Sequence, residues 1–291
     1  MPIHGFLNID KPTGLTSHDV VARVRRLVGQ RRVGHGGTLD PPATGVLPIG
    51  LGEATRLLPY LVEGRKTYQA VVRLGVTTTT DDATGEPLAT RPVPPLTEDE
   101  LRQALAQFEG LIEQVPPMYS AVRIDGRRLY ELARRGEEVA RAPRTVEIER
   151  IELLSWQPPL LTLVITCGKG TYIRALARDL GAALGCGAHV QALRRTQVGA
   201  LTLETAVPLA ALEAEPRQLA QALLPPDVAV ADWPRVDLDA SAAQRVANGL
   251  PVPRTLAVPR ARAHGPDGRL LALLAPRGEH WQPMRVFRWS T

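Results

Sequence analysis

GHGGTLDPPATGVLPIG, residues 34–50, carries one carboxylate, Asp40, set between a Thr-Leu pair and two prolines, with His35 as its other titratable group. Its glycines and prolines interrupt both the helical and the strand period, so the stretch reads as a loop. The segments around it set the fold. On the N-terminal side, GFLNIDKPTG (5–14) reads as a short strand and a Pro-Gly turn. SHDVVARVRRLVG (17–29) reads as a helix capped by Thr16 or Ser17, with Val20, Val24, Leu27 and Val28 as its apolar stripe. On the C-terminal side, TYQAVVRLGVTT (67–78) alternates as a strand does. TEDELRQALAQFEG (97–110) opens with a capping box of Thr97 and Glu100 and turns Leu101, Leu105 and Phe108 to one face. RTVEIERIELLSW (144–156) and LLTLVITC (160–167) are strand-like, and GTYIRALARDLGAALG (170–185) is a helix after a Gly-Lys-Gly turn. Helices and strands interleave while several strands run consecutively, which implies an α+β fold with a mixed or antiparallel sheet. The proline-rich LLPPDVAVADWP (223–234) places a boundary near residue 226. The expected organisation is a catalytic domain over 1–226 and a small β-rich module over 227–291, built from short strands and turns.

The 291 residues are 44% hydrophobic and 22% charged, as in ordinary globular proteins. No apolar run is long enough for a membrane span. The start, MPIHGFLNIDKP, lacks the basic and apolar regions of a secretory signal, so none is expected. Cys167 and Cys186 form no CxxC pair, which fits a reduced, cytoplasmic protein. The six histidines include no close ligand pair, so no metal is expected. TTTTDDATGE (77–86) lacks the spaced acids of a calcium loop and reads as a polar turn. The net charge is +5, and arginines cluster at Arg23, Arg25, Arg26, Arg31 and Arg32 and again through the tail. A nucleic-acid partner and a plain solvated basic surface both fit this charge. The three lysines, Lys11, Lys66 and Lys169, each lie in a dense local motif.

Each candidate residue has a structural and a functional reading. Asp40 is either a turn-former bonding its own backbone or a carboxylate held rigidly as a nucleophile or base. Glycines before it would let a substrate backbone come close. His35 is either a hydrogen-bonded loop histidine or a site residue. Arg174, Arg178 and Asp179 are either a surface charge ladder or include a guanidinium that keeps a catalytic carboxylate ionised. Tyr68 is either a core aromatic or a platform for a nucleobase, and PPMYSAVRIDGRRLYELARRG (116–136) adds Tyr119, Tyr130 and arginines suited to stacking and phosphate contact.

Taken together, the motifs resemble one family. GHGGTLDPPATGVLPIGLGEATR (34–56) is similar to the signature of the TruB pseudouridine synthases. NIDKPTGLTSHDVV, KTYQAVVRLGVTTTTDDATG, PPMYSAVRIDGRRLYELAR, CGKGTYIRALARDLG and GAHVQALRRTQVG resemble its other blocks in the family's order, from about residue 3 to 200. The tail resembles the family's PUA-like RNA-binding module more weakly. The resemblance implies isomerisation of the uridine at position 55, in the TΨC loop of the tRNA T-arm, by a monomer that uses no cofactor, metal, membrane or guide RNA. It places Asp40 on the catalytic aspartate, Tyr68 on the tyrosine that packs against the target base, and Arg174 on the arginine that pairs with the aspartate. His35 falls on the histidine that holds the RNA loop open. Lys11, Tyr119, Tyr172 and Leu193 fall in blocks that contribute to substrate binding. Arg123 departs from the family, which commonly has lysine there; charge is kept but not lysine's point-charge geometry. Alternatives are a guide-dependent synthase of the dyskerin type, an RNA-folding scaffold without chemistry, and a hydrolase with an Asp nucleophile. The short tail, without a long basic extension, favours the stand-alone enzyme over the guide-dependent one, and the intact Asp40, Tyr68 and Arg174 set argues against binding as the sole role.

Overall fold

A computed structural model describes residues 2–120, 123–124, 127–133, 135–137 and 139–289, without the side chains of Arg123, Ile124, Arg128 and Tyr130. The sequence features of Arg123 and Tyr130 therefore lie outside the described side chains. The chain forms two compact units, one of Met1–Asp40, Val46–Val62 and Val198–Thr291 and the other of Pro41–Gly45 and Glu63–Gln197.

In the first unit the strand Gly5–Lys11 is buried along nearly its whole length. It pairs in parallel with Val207–Pro208 and antiparallel with Leu223–Leu224. The helix Ser17–Val28 follows, and Thr16 is its cap: its hydroxyl accepts from the Asp19 amide while the Asp19 carboxylate accepts from the Thr16 amide. Val20, Val21 and Val24 are its buried face, so the expected stripe is rotated slightly towards the N-terminal half. The loop expected over 34–50 is only partly a loop. Val33–His35 is a strand and so is Thr44–Leu51, and the two pair antiparallel with His35 opposite Ile49. TGVLPIGL is buried at every position but the first. A strand covered on both faces has no reason to alternate, so its period is silent. What remains as a loop is the segment from Gly36 to Ala43 that holds Asp40.

The C-terminal residues of this unit form a five-stranded sheet in the order Arg235–Asp237, Ala261–His264, Leu270–Arg277, His280–Val286, Val252–Pro253. Trp281, Val246, Ala272 and Leu274 fill its own core. Leu273 and Phe287 instead join Phe6, Leu57 and Leu61 in a second core. Leu270–Arg277 is therefore apolar on both faces because it faces two cores.

The second unit is built on a sheet ordered Ala188–Val198, Lys66–Leu74, Leu160–Cys167, Arg144–Gln157, Gly110–Gln114. Its last four strands run antiparallel to one another, with Tyr68 opposite Ile165 and Lys66 opposite Cys167. The helices Glu98–Ala106 and Ile173–Ala183 supply Leu101, Leu105, Leu176 and Leu180 to a core shared with Ala70, Val72 and Leu163. The parallel and antiparallel pairings of the two units together make the α+β architecture that the element order implied.

Candidate active site

The Asp40 loop is fixed by the helix before it. The buried Ser17 side chain accepts from the Leu39 amide at 2.9 Å and lies 3.1 Å from the Leu39 carbonyl, to which its hydroxyl donates. Leu39 is itself buried, so both backbone groups of the residue before Asp40 are satisfied and the chain there is held at two points. Thr16 caps the helix, which leaves Ser17 free for this second task. The glycines that precede Asp40 serve packing: a Cβ on Gly34 would lie 3.0 Å from Leu58, and one on Gly36 would lie 3.3 Å from both Leu61 and Pro48. His35 meets the exposed His18 edge-on at 5.3 Å. Lys11 is completely buried, and its ammonium donates to the carbonyls of Pro12 at 2.8 Å and Leu15 at 2.7 Å, closing the turn that leads into the helix. Asp40 is half-buried.

In the second unit Arg174 is 5% exposed, near the N-terminus of the helix Ile173–Ala183. That burial removes the surface-ladder reading for this residue. Its guanidinium donates to the Thr80 carbonyl at 2.9 Å and the Tyr119 carbonyl at 2.8 Å, and stands 3.7 Å from the Asp82 carboxylate. Asp82 is also buried. Its other oxygen accepts from the Thr80 hydroxyl at 2.7 Å, the Thr84 amide at 3.0 Å and the Thr84 hydroxyl at 2.5 Å. Arg178, one turn on, donates to Asp81 at 3.3 Å, Asp179 at 2.9 Å and the Val115 carbonyl at 2.9 Å. Burial pushes the Asp81 carboxyl up, against the pull of Arg178 and Arg174. TTTTDDATGE is thus a turn, as expected, and also the anchor for two arginines. Sequence reading missed Asp82; the available signal was a DD pair flanked by threonines, which is ordinary turn chemistry until an arginine is placed against it.

Tyr119 and Arg174 are brought together through the Tyr119 carbonyl. Tyr172 is held at its backbone by the buried Gln114 side chain, which accepts from the Tyr172 amide at 2.8 Å and donates to its carbonyl at 3.1 Å. Tyr68 and Leu193 both pack, half-buried, against the core of this unit. At Gly45, with φ +100°, a Cβ would sit 2.1 Å from the Arg195 carbonyl oxygen, so only glycine lets the chain lie this close to Arg195.

Family models decide what this arrangement belongs to. Residues 25–173 match the TruB family pseudouridylate synthase N-terminal domain, 174–231 a tRNA pseudouridylate synthase B C-terminal domain, and 233–288 the tRNA pseudouridine synthase II C-terminal domain.

The chain belongs to the TruB family of pseudouridylate synthases.

Its relatives include proteins named tRNA pseudouridine synthase B: one from Ralstonia nicotianae is 48% identical, covering 98% of this chain and 94% of that protein. One from Pseudomonas aeruginosa is 51% identical over 86% of this chain and 84% of its own. Among solved structures, a Cbf5-Nop10-Gar1 complex matches with a TM-score of 0.76 at 30% identity, covering 98% of this chain and 85% of that one. An H/ACA RNP bound to a substrate RNA containing 2′-deoxyuridine matches at 0.75 and 27%, with 98% and 85% covered. The TruB chain is therefore an isomerase with the mixed-sheet synthase fold and a β-rich C-terminal sheet.

Two features of this TruB chain bear on its charge. Lys66, two residues before Tyr68 on the same strand, is buried and donates to the Gly64 carbonyl at 2.6 Å. Burial, followed by the nearby Arg195, brings its ammonium down to about 8. Many of the clustered arginines are occupied within the protein. Arg25 holds the Val33 carbonyl at 2.9 Å, and Arg32 and Arg56 share Glu53. In the tail, Arg254 covers Trp281, Arg260 covers Trp233, and Arg262 pairs with Asp227. Arg26, Arg31, Arg277 and Arg288 are exposed and make no ion pair among the described residues.

Proposed function

We propose that this protein converts the uridine at position 55, in the TΨC loop of tRNA, to pseudouridine, acting as a cytoplasmic monomer without guide RNA or cofactor. The observation that carries the reading is the near full-length similarity to proteins named tRNA pseudouridine synthase B, with Asp40 inside the matched signature. The reaction breaks the N1–C1′ bond, turns the base and joins C5 to C1′, with loss of the C5 proton and gain of a proton at N1. The target must leave its stack to be reached. Asp40 supplies the carboxylate, either by attack at C1′ or by taking a proton from C2′ to give a glycal. Arg174 keeps that carboxylate ionised, Tyr68 packs against the flipped base, and His35 holds the RNA loop open. Lys11, Tyr119, Tyr172 and Leu193 line the substrate site. Residues 227–291 form the accessory RNA-binding module. The Ser17–Leu39 clamp supports this assignment, because a carboxylate that must meet one carbon needs a backbone that does not wander.

Mapping of pseudouridine by mass on an unmodified tRNA transcript, incubated with the purified protein alone, tests the reading. Product at position 55 is expected, and absence of product without a guide RNA refutes it. Asp40→Asn should abolish turnover while tRNA binding stays within a few-fold, since affinity is spread over phosphate contacts. A single-turnover rate above about a hundredth of wild type would remove Asp40 from the chemistry.

A further inference from the structure

The C-terminal part of the first unit holds a cavity that the proposed chemistry leaves unused. It has a volume of about 320 Å³ and is lined by His4, Pro225, Asp227, Arg269, Leu270 and Trp289, among others. That size falls within the range of small-molecule sites, about 300–1,000 Å³. Its walls are of three kinds. The first is a fixed aromatic: Trp289 stacks on Phe287 at 5.2 Å, meets His4 edge-on at 5.9 Å, and donates its indole N–H to the Leu270 carbonyl. A ring held from three directions is a rigid platform. The second is an oriented acceptor. One oxygen of Asp227 takes Arg262 at 3.1 Å and the buried His264 at 3.2 Å, while its other oxygen has no partner among the described residues. The third is an exposed cation: the Arg269 side chain is largely exposed, with the rim carboxylate of Asp267 at 3.8 Å.

We propose that this cavity binds the base of a nucleotide bearing an exocyclic amine, the base lying along Trp289, its amine donating to Asp227, and its phosphate meeting Arg269. An aromatic wall accepts any base by its flat face. Discrimination comes from the carboxylate, which accepts hydrogen bonds and donates none. Cytosine and adenine present an N–H₂ donor and guanine presents two neighbouring N–H donors. Uracil presents one N–H flanked by two carbonyl oxygens, which a carboxylate repels. The ligand is thus C, A or G, supplied either as a free mononucleotide or as an unpaired nucleotide of a bound RNA. The site does not depend on the reading of Asp40.

Equilibrium dialysis of the full-length protein with CMP, AMP, UMP and inorganic phosphate tests this. One CMP or AMP per chain should bind at least tenfold more tightly than UMP or phosphate. UMP binding equal to CMP binding overturns the proposal. Trp289→Leu should weaken CMP at least tenfold in a protein that still folds, as read by circular dichroism; full affinity in that variant overturns it. Should that variant not fold, Arg269→Ala, at a surface side chain, decides: it should weaken CMP but leave cytidine unaffected, and an unchanged CMP affinity overturns the proposal. Competition separates the two sources. Displacement of CMP by a single-stranded cytidine hexanucleotide, and not by a blunt-ended, fully paired RNA duplex, assigns the site to unpaired RNA. Displacement by neither assigns it to free mononucleotide. Equal displacement by both shows charge without base recognition and overturns it.

Discussion

Replacing Asp82 by asparagine tests how far Arg174 depends on its countercharge. The change is nearly isosteric. The side-chain oxygen that accepts from Thr80 and Thr84 can remain in place, so the new amide nitrogen falls where the second carboxylate oxygen stood, 3.7 Å from the Arg174 guanidinium. A donor then faces a donor. Coulomb attraction at this separation is worth about 4 kcal/mol at an effective dielectric constant of about 20. Breaking a buried pair by removing one partner commonly costs about 3–5 kcal/mol. Arg174 keeps its bonds to the Thr80 and Tyr119 carbonyls, which continue to solvate the charge. The expected loss of stability is therefore below that range, about 2–3 kcal/mol. If Arg174 acts on the reacting carboxylate, its displacement should slow the bound-state reaction by about a hundredfold, since each 1.4 kcal/mol is a factor of ten. Urea unfolding followed by circular dichroism reads the first quantity, and tritium release from C5-labelled uridine in tRNA under single-turnover conditions reads the second. A double-mutant cycle with Arg174→Met isolates the coupling. An Asp82→Asn protein with a wild-type urea midpoint and a rate within about threefold of wild type would refute the argument.

Ser17→Ala leaves the buried Leu39 amide without its acceptor and should cost about 1–3 kcal/mol by thermal unfolding, with a larger fall in kcat than in tRNA affinity; an unchanged kcat would show that the loop needs no clamp. Tyr68→Phe keeps the ring and should bind tRNA normally, but if the Tyr68 hydroxyl also takes the C5 proton it should stall after glycosidic cleavage, and full activity of this variant leaves stacking alone; Tyr68→Leu should lose both binding and rate, because base stacking is worth about 1–3 kcal/mol, and its full activity would place that side chain outside the site. Lys66, lowered from 10.5 to about 8 in the folded chain, binds fewer protons than its unfolded counterpart between those values. Stability should therefore rise with pH across that window, and the rise should shrink in Lys66→Met; identical pH profiles of the urea midpoint for the two proteins would contradict the burial of a charge there.

Much of this protein was legible in the residues themselves. The capping boxes at Thr16 and Thr97 are local chemistry, with every atom of the signal within four residues, so the helix starts could be read from the sequence. Alternation marked the strand Lys66–Leu74 because it has one covered and one less covered face. The motif order identified the family, and the proposed roles of Asp40, Tyr68 and Arg174 rest on that order. Other features belong to the tertiary structure. TGVLPIGL looked like a loop because a strand buried on both faces carries no period. Ser17 looked like a second cap, and only the return of the chain at Leu39 makes it a clamp. Asp82 looked like turn chemistry until the helix Ile173–Ala183 brought Arg174 against it, across 92 positions of sequence. Residue type and spacing encode what a few neighbouring residues can satisfy among themselves. Which buried charge meets which, and which arginines are left facing solvent, depends on contacts between segments far apart in the chain, and only packing decides those.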